Sequence, residues 1–280
     1  MDLDAVALLD DELQLARFVG LHALPLFGIA LALLMCAVVA AWWLWVRIER
    51  HGAPEPLPRE RVLVLRLIAG FAGIVLAAMG FAEMAEALDA SEELGRFDVE
   101  LARVLRDELS AATLQAFAGL THLGDTVTLT ALCLVVALVL LWRGHRRLAI
   151  GWVVAVAANG ALIRLLKAVF ARVRPVHEHN HVVTESGFSF PSGHSAGAVL
   201  VYGLLAYVLL RFVPRAAQLP VLLLGASLAF TIGCSRVFLQ VHYASDVLAG
   251  FASGGLWLAV CIMSMEWLQH RRLGRSALAT

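Results

Sequence analysis

Three short stretches hold most of the residues able to do chemistry in a chain of 280 residues that is otherwise strongly apolar. Lys167 and Arg174 stand seven apart, a two-turn spacing that would project both from one helix face before Pro175 ends the helix. Ser192, Gly193 and His194 follow Pro191 at the head of an apolar run. Serine is a natural N-cap, glycine lets backbone approach a ligand closely, and the free N–H groups of a helix start attract anions. Arg236 precedes His242 and Asp246, and the His-x-x-x-Asp spacing sets a carboxylate against an imidazole when it falls on a helix. Such a carboxylate fixes the ring's tautomer and stabilises the cation formed during reaction. Each stretch also has a plainer reading. Long cations snorkel from helix ends, Pro-Ser-Gly merely starts helices, and His–Asp pairs are usually structural.

Together the three stretches supply what phosphoryl transfer demands: cations for the equatorial oxygens, an in-line nucleophile and an acid for the leaving oxygen. Arginine suits the task because its fork binds two phosphate oxygens at once. Lys167 is the one lysine against 21 arginines, which fits a role for a compact ammonium or a compositional bias. The stretches have no carboxylate cluster suited to magnesium beside them, so cations are expected to take the metal's place, with no metal ligands. The alternating run His177, Glu178, His179, Asn180, His181 fits a solvated outer turn better than a metal site. Arg164, one turn before Lys167, is expected in helix packing or an internal ion pair more than in lipid binding.

Lys-x6-Arg-Pro, Pro-Ser-Gly-His and Ser-Arg-x5-His-x3-Asp occur here in order and unsubstituted between Lys167 and Asp246, beginning the third part at Ser235. In this the sequence resembles the type 2 phosphatidic acid phosphatase superfamily of membrane lipid phosphate phosphatases. The resemblance implies a six-helix transmembrane core over roughly residues 62–268 and no cofactor. It further implies that His242 is the nucleophile and forms a phosphohistidine, with Asp246 orienting it. His194 would protonate the leaving group and then activate water. Lys167, Arg174 and Arg236, with Ser192 and the backbone at Gly193, would hold the phosphate.

These residues need a scaffold, and the composition says which kind. The chain is 60% hydrophobic and 16% charged, with 22 basic and 22 acidic side chains. Soluble domains carry about 25% charged residues, so the chain is expected in a membrane. Zero net charge argues against a nucleic-acid partner, which needs clustered cations. Cys36, Cys133, Cys234 and Cys261 all lie in apolar stretches and read as small core residues. The acidic start, Asp2, Asp4, Asp10, Asp11 and Glu12, is unlike a secretory signal, and none is expected.

A crossing needs about 20 mostly apolar residues, and seven stretches qualify: Leu21–Val46, Val62–Ala82, Thr126–Trp142, Leu148–Phe170, Gly193–Leu210, Ala216–Ser235 and Val247–Met265. In lipid these can only be helices. The expected fold is therefore all-α, a polytopic bundle of about seven spans, the first an addition to the six-helix core. Alternate loops gather Arg47, Arg50, Arg59, Arg61, Arg143, Arg146, Arg147, Arg211, Arg215, Arg271, Arg272 and Arg275. Positive charge is retained inside, so the N-terminus and the three stretches are expected outside and the C-terminus inside. Phe97, Leu101, Val104, Leu105 and Leu109 recur at helical spacing with Asp98, Glu100, Arg103 and Asp107 on other faces, as an interfacial helix or a short soluble helix capping the bundle. The expected organisation is 1–61 (outer segment, extra helix and basic cytoplasmic loop), 62–268 (the phosphatase core, with an outer interfacial segment at 89–121) and 269–280 (a basic cytoplasmic tail).

Metal-independent hydrolysis of a lipid phosphate or pyrophosphate is the leading expectation, with undecaprenyl pyrophosphate, phosphatidate and phosphatidylglycerol phosphate as substrate classes. Chain size and family suggest a bacterial inner membrane and a site facing the periplasm or exterior, among membrane lipids as partners. Two alternatives stay open: a lipid phosphotransferase using the same phosphohistidine, and a transporter of anions or lipids whose cationic site only captures phosphate. Two histidines and an orienting Asp exceed what capture requires. Oligomeric state is not encoded in these features.

Overall fold

The computed structural model describes residues 3–51, 79, 83, 93–175 and 186–277, and the elements among them are helical. In chain order they are α1 (Leu3–Leu21), α2 (Ala23–His51), α3 (Glu93–Glu108), α4 (Ala111–Thr121), a single 3-10 turn His122–Gly124, α5 (Thr126–Trp142), α6 (Arg146–Phe170), α7 (Gly193–Leu209), α8 (Arg215–Phe238) and α9 (Ala244–Ala277). The all-α expectation holds. The expected span Val62–Ala82 and the run 177–181 lie outside the described residues, Met79 excepted.

The remaining six expected spans fall on α2 and α5 to α9, but they are not equivalent. Within α2, α6, α8 and α9 lie stretches of 24 or 25 residues long and apolar enough to cross a membrane. Helix α4 with its following turn makes a fifth such unit only together with α5, bent by 42°. Residues 111–121 are apolar, α4 carrying no charged side chain, and run through the 3-10 turn into α5. Helix α7, with 17 residues, is about 25 Å long. It suits its position as the inner helix of the bundle, with ten of its residues buried.

One core joins Leu129, Cys133, Ala137 and Leu140 of α5 to Ala149, Trp152 and Ala155 of α6, to Leu200, Val201, Leu204 and Val208 of α7, and to α8 and α9. Indole N–H groups are costly to bury unpaired. Here Trp152 Nε1 donates to Cys133 O at 3.0 Å and Trp257 Nε1 to Ala155 O at 2.9 Å. Small residues let α9 press onto α7. A Cβ on Gly254 would lie 2.6 Å from Ala196 O, and one on Gly250 would lie 2.7 Å from Ser192 O. Such spacing is the small-xxx-small device of membrane helix pairs, and it fixes Asp246, one turn before Gly250, beside the start of α7.

A second core covers the end of the bundle where the chemistry-bearing stretches meet. Ala16 and Ala23, Leu101 and Leu105 of α3, Phe117 of α4, and Phe238, Leu239 and Val241 are buried together. Phe27 of α2 packs on Phe117, Phe230 and Phe238 at ring distances of 5.6, 5.7 and 5.7 Å, docking the additional N-terminal span against α4 and α8. The acidic N-terminal stretch is itself helical, as α1, and lies along α3. Arg17 Nε and Arg103 Nη2 both reach Glu100 at 2.7 Å, and Arg103 first and Arg17 second hold that carboxylate at about 2. The structure packs α3 against α1 and into the second core. It corrects the face of Asp98, which is buried among the apolar residues. Cys133 and Cys261 are core residues, as expected, whereas Cys36 is exposed.

Candidate active site

Helix α6 does not continue to Arg174. It ends at Phe170, where Ala171 takes a left-handed conformation (φ 44°) and its N–H bonds Lys167 O. Lys167 therefore sits on the last turn and Arg174 on the extended segment that follows, which corrects the expectation of one shared helix face. They converge instead on the segment before α7. Lys167 Nζ donates to Phe188 O, Arg174 Nε to Gly187 O at 3.0 Å, and Ser189 N to Arg172 O at 2.8 Å.

The α8–α9 junction is built with equal economy. Helix α8 closes in a Schellman motif: Gln240 N bonds Val237 O and Val241 N bonds Arg236 O, with Gln240 left-handed at φ 56°. His242 N also reaches Arg236 O, at 3.2 Å. Two residues later α9 begins, and Asp246 Oδ2 accepts from Tyr243 N at 2.9 Å, the reciprocal half of a capping box. His242 thus lies in the junction and not on the helix, and its contact with Asp246 comes from the cap.

The imidazole of His242 is held on both nitrogens. Arg174 Nη1 lies 3.1 Å from Nε2, and Asp246 Oδ2 lies 3.3 Å from Nδ1. Guanidinium only donates, so Nε2 carries the lone pair and Nδ1 the proton. Nε2 is thus the ring nitrogen on the Arg174 side. Burial pushes the imidazole down to about 3; Asp246 opposes the shift, while Arg174 and Arg236 add to it. The folded chain then binds fewer protons than the unfolded chain between pH 6.5 and 3, so this group's stability contribution is present above 6.5 and lost as pH falls toward 3. We expect the nitrogen NMR signals of His242 to report a neutral ring at pH 5. We also expect the thermal midpoint to fall between pH 6.5 and 4, less steeply in His242→Gln. A protonated ring at pH 5 would contradict this environment.

Asp246 is wholly buried and accepts from four groups. Arg172 Nη1 reaches Oδ1 at 2.7 Å, and Ser189 Oγ, Tyr243 N and His242 Nδ1 gather at Oδ2. Ser192 N donates to Asp246 O at 2.9 Å, tying the start of α7 to the same point. Ser192 is the N-cap of α7 as expected, accepting from Ser195 N and Ser195 Oγ. A Cβ on Gly193 would meet only Ile163 Cγ2, at 3.5 Å, so packing leaves room for a methyl there. Arg236 is fully buried, with Nη1 on Thr121 Oγ1 at 2.7 Å. His194, on the first turn of α7, turns Nε2 to Asp125 Oδ1 at 2.9 Å. Asp125 stands at the N-cap of α5 without capping it; His122 Nδ1 occupies its other oxygen at 2.7 Å.

All eight residues singled out from the sequence therefore gather at one end of the bundle, opposite the Arg143–Arg147 turn that starts α6. Several partners were not singled out: Asp98, Thr121, Asp125, Arg172, Ser189 and Ser245. Asp98 shares a helical stripe with Leu101 and Leu105, three and seven residues on, which is the signal that could have revealed its burial. Burial raises its pKa above the ordinary Asp value, while the bonds from Ser245 and Arg172 oppose the shift.

Comparison with known proteins accords with this geometry. Residues 148–270 match the PAP2 superfamily. Phosphatidylglycerophosphatase B of Bacillus subtilis is 33% identical over 142 residues, 50% of this chain and 69% of the relative. The chain belongs to the PAP2 superfamily. The crystal structure of a transmembrane PAP2-type phosphatidylglycerolphosphate phosphatase from B. subtilis is similar at a TM-score of 0.63 and 28% identity, over 69% of this chain and 95% of that one. Lipid A 1-phosphatase of Rhizobium etli is 34% identical over 113 residues, 38% of this chain and 44% of the relative. The chain is an integral membrane enzyme, a PAP2 lipid phosphatase.

Proposed function

We propose that this PAP2 phosphatase hydrolyses a lipid phosphate monoester or pyrophosphate without a metal, through a phosphohistidine at His242, on the outer face of the membrane. The observation that carries the reading is the His242 ring, with its Nε2 lone pair beside Arg174 and its Nδ1 proton toward Asp246. Lys167, Arg174 and Arg236, with the Ser192 hydroxyl and Gly193 N–H, hold the phosphate and spread its charge. Nε2 attacks phosphorus as the bond to the lipid oxygen breaks, and His194 gives that oxygen its proton. Neutral His194 then takes a proton from water, the hydroxide attacks phosphorus, the P–N bond breaks, and inorganic phosphate leaves with His242 restored.

The bundle's geometry supports the outer orientation: the site lies at the far end of α6 from Arg143, Arg146 and Arg147, which belong inside by the positive-inside rule. Undecaprenyl pyrophosphate, phosphatidate and phosphatidylglycerol phosphate are the substrate classes, and the relatives' names favour the last. The test is phosphate release from each lipid by purified protein in EDTA. Release from at least one in the presence of chelator is expected; silence on all three, or activity restored only by added divalent metal, would sink the proposal.

A further inference from the structure

We propose that Asp98, upstream of the PAP2-matched stretch, is a positioning residue: through Arg172 it balances the charge beside Asp246 so that one net negative charge faces His242. This rests on the phosphohistidine reading above. Arg172 bridges the two acids. Its Nη1 donates to Asp246 Oδ1 at 2.7 Å and to Ser245 Oγ at 2.8 Å, and its Nη2 donates to Asp98 Oδ2 at 3.0 Å. Its guanidinium lies over the Tyr243 ring at 4.4 Å, so the plane of the fork is fixed. Ser245 Oγ accepts from Arg172 and donates to Asp98 Oδ2, and Ser245 N donates to Oδ1 at 3.2 Å. Asp98 thus accepts from Arg172 and from both the N–H and the hydroxyl of Ser245, and its fully buried side chain is paired to the Arg172 guanidinium.

Charge balance gives the arrangement its purpose. Attack by Nε2 makes the His242 ring cationic while Nδ1 keeps its proton, and Asp246 is the anion that faces it. An arginine placed directly on Asp246 would cancel that anion in a buried, weakly screened site. A second carboxylate on the far side of Arg172 restores the difference: two acids and one guanidinium leave one negative charge toward His242. Asp98 is carried by α3, which α1 and the second core hold against the junction. The N-terminal layer thereby becomes part of the catalytic apparatus and not only an anchor.

The experiment compares Asp98→Asn, the double variant Asp98→Asn with Arg172→Gln, and His242→Ala, using the fastest lipid of the panel above. We expect Asp98→Asn to lower kcat by about thirtyfold with KM within about twofold, with a slower rise of phosphoenzyme in rapid quench. The double variant removes one charge of each sign and should recover at least about tenfold over Asp98→Asn, a recovery that lost packing cannot produce. Wild-type kcat in Asp98→Asn, or a double variant no faster than the single, would overturn the proposal. Should Asp98→Asn alone fail to fold, the double variant decides: kcat within about thirtyfold of wild type supports charge balance, and a larger loss refutes it. Turnover in His242→Ala would instead defeat the phosphohistidine reading. An inactive His242→Ala beside a wild-type Asp98→Asn would defeat only this inference.

Discussion

His242→Ala should retain no more than about one part in 10⁴ of wild-type kcat, while folded protein and lipid binding persist. The expected loss is large because the imidazole is the one ring in the site whose lone pair meets a guanidinium and whose proton meets a buried carboxylate. Alanine removes the atom to which phosphorus would bond, so the two-step route closes and only electrostatic binding by the remaining cations survives. Binding should change little, since Lys167, Arg174 and Arg236 are anchored to Phe188 O, Gly187 O and Thr121 without the ring. Steady-state phosphate release together with equilibrium binding of a lipid phosphate checks both halves. Near-wild-type turnover would move the nucleophile elsewhere.

The second large effect is expected at His194. His194→Ala should cost about 10³-fold with a lipid alkoxide as leaving group and far less with a phenolic ester whose oxygen leaves unprotonated. The dependence on leaving group distinguishes an acid from a structural residue, because a misfolded pocket would slow both substrates alike. The ring's bond to Asp125 at 2.9 Å orients it, as a paired carboxylate orients an acid–base imidazole. Equal losses on both substrates would remove the acid role from His194.

Much of this site was legible in the sequence, for a physical reason. Cations, capping serine, glycine and the His–Asp pair are chemical types whose use in phosphate chemistry depends little on surrounding packing. The parts that were not legible depend on backbone geometry or on distant contacts. Pro175 predicts a helix running to Arg174, whereas α6 stops at Phe170, four residues earlier, and Ala171 follows in a left-handed conformation, a rare place for a residue with a Cβ. A Schellman turn normally advertises itself by glycine, and here Gln240 occupies that position. The pattern places Asp98 on a polar face, because an acid in an amphipathic helix is usually found there, and only Arg172 and Ser245, more than seventy positions away, make its burial tolerable. Short α7 showed as a span by its apolar run, but its inner position follows from the small residues of α9 that let the two backbones touch.

The proposed hydrolysis turns on a covalent bond between phosphorus and Nε2 of His242. Rapid acid-free quench of the purified enzyme with lipid labelled in its terminal phosphate, followed by peptide mapping, tests it most directly. Label is expected on His242, stable in base and labile in acid, absent in His242→Ala and still formed, more slowly, in Asp98→Asn. Label on another residue, or full turnover with none on the protein at any time after mixing, would contradict it.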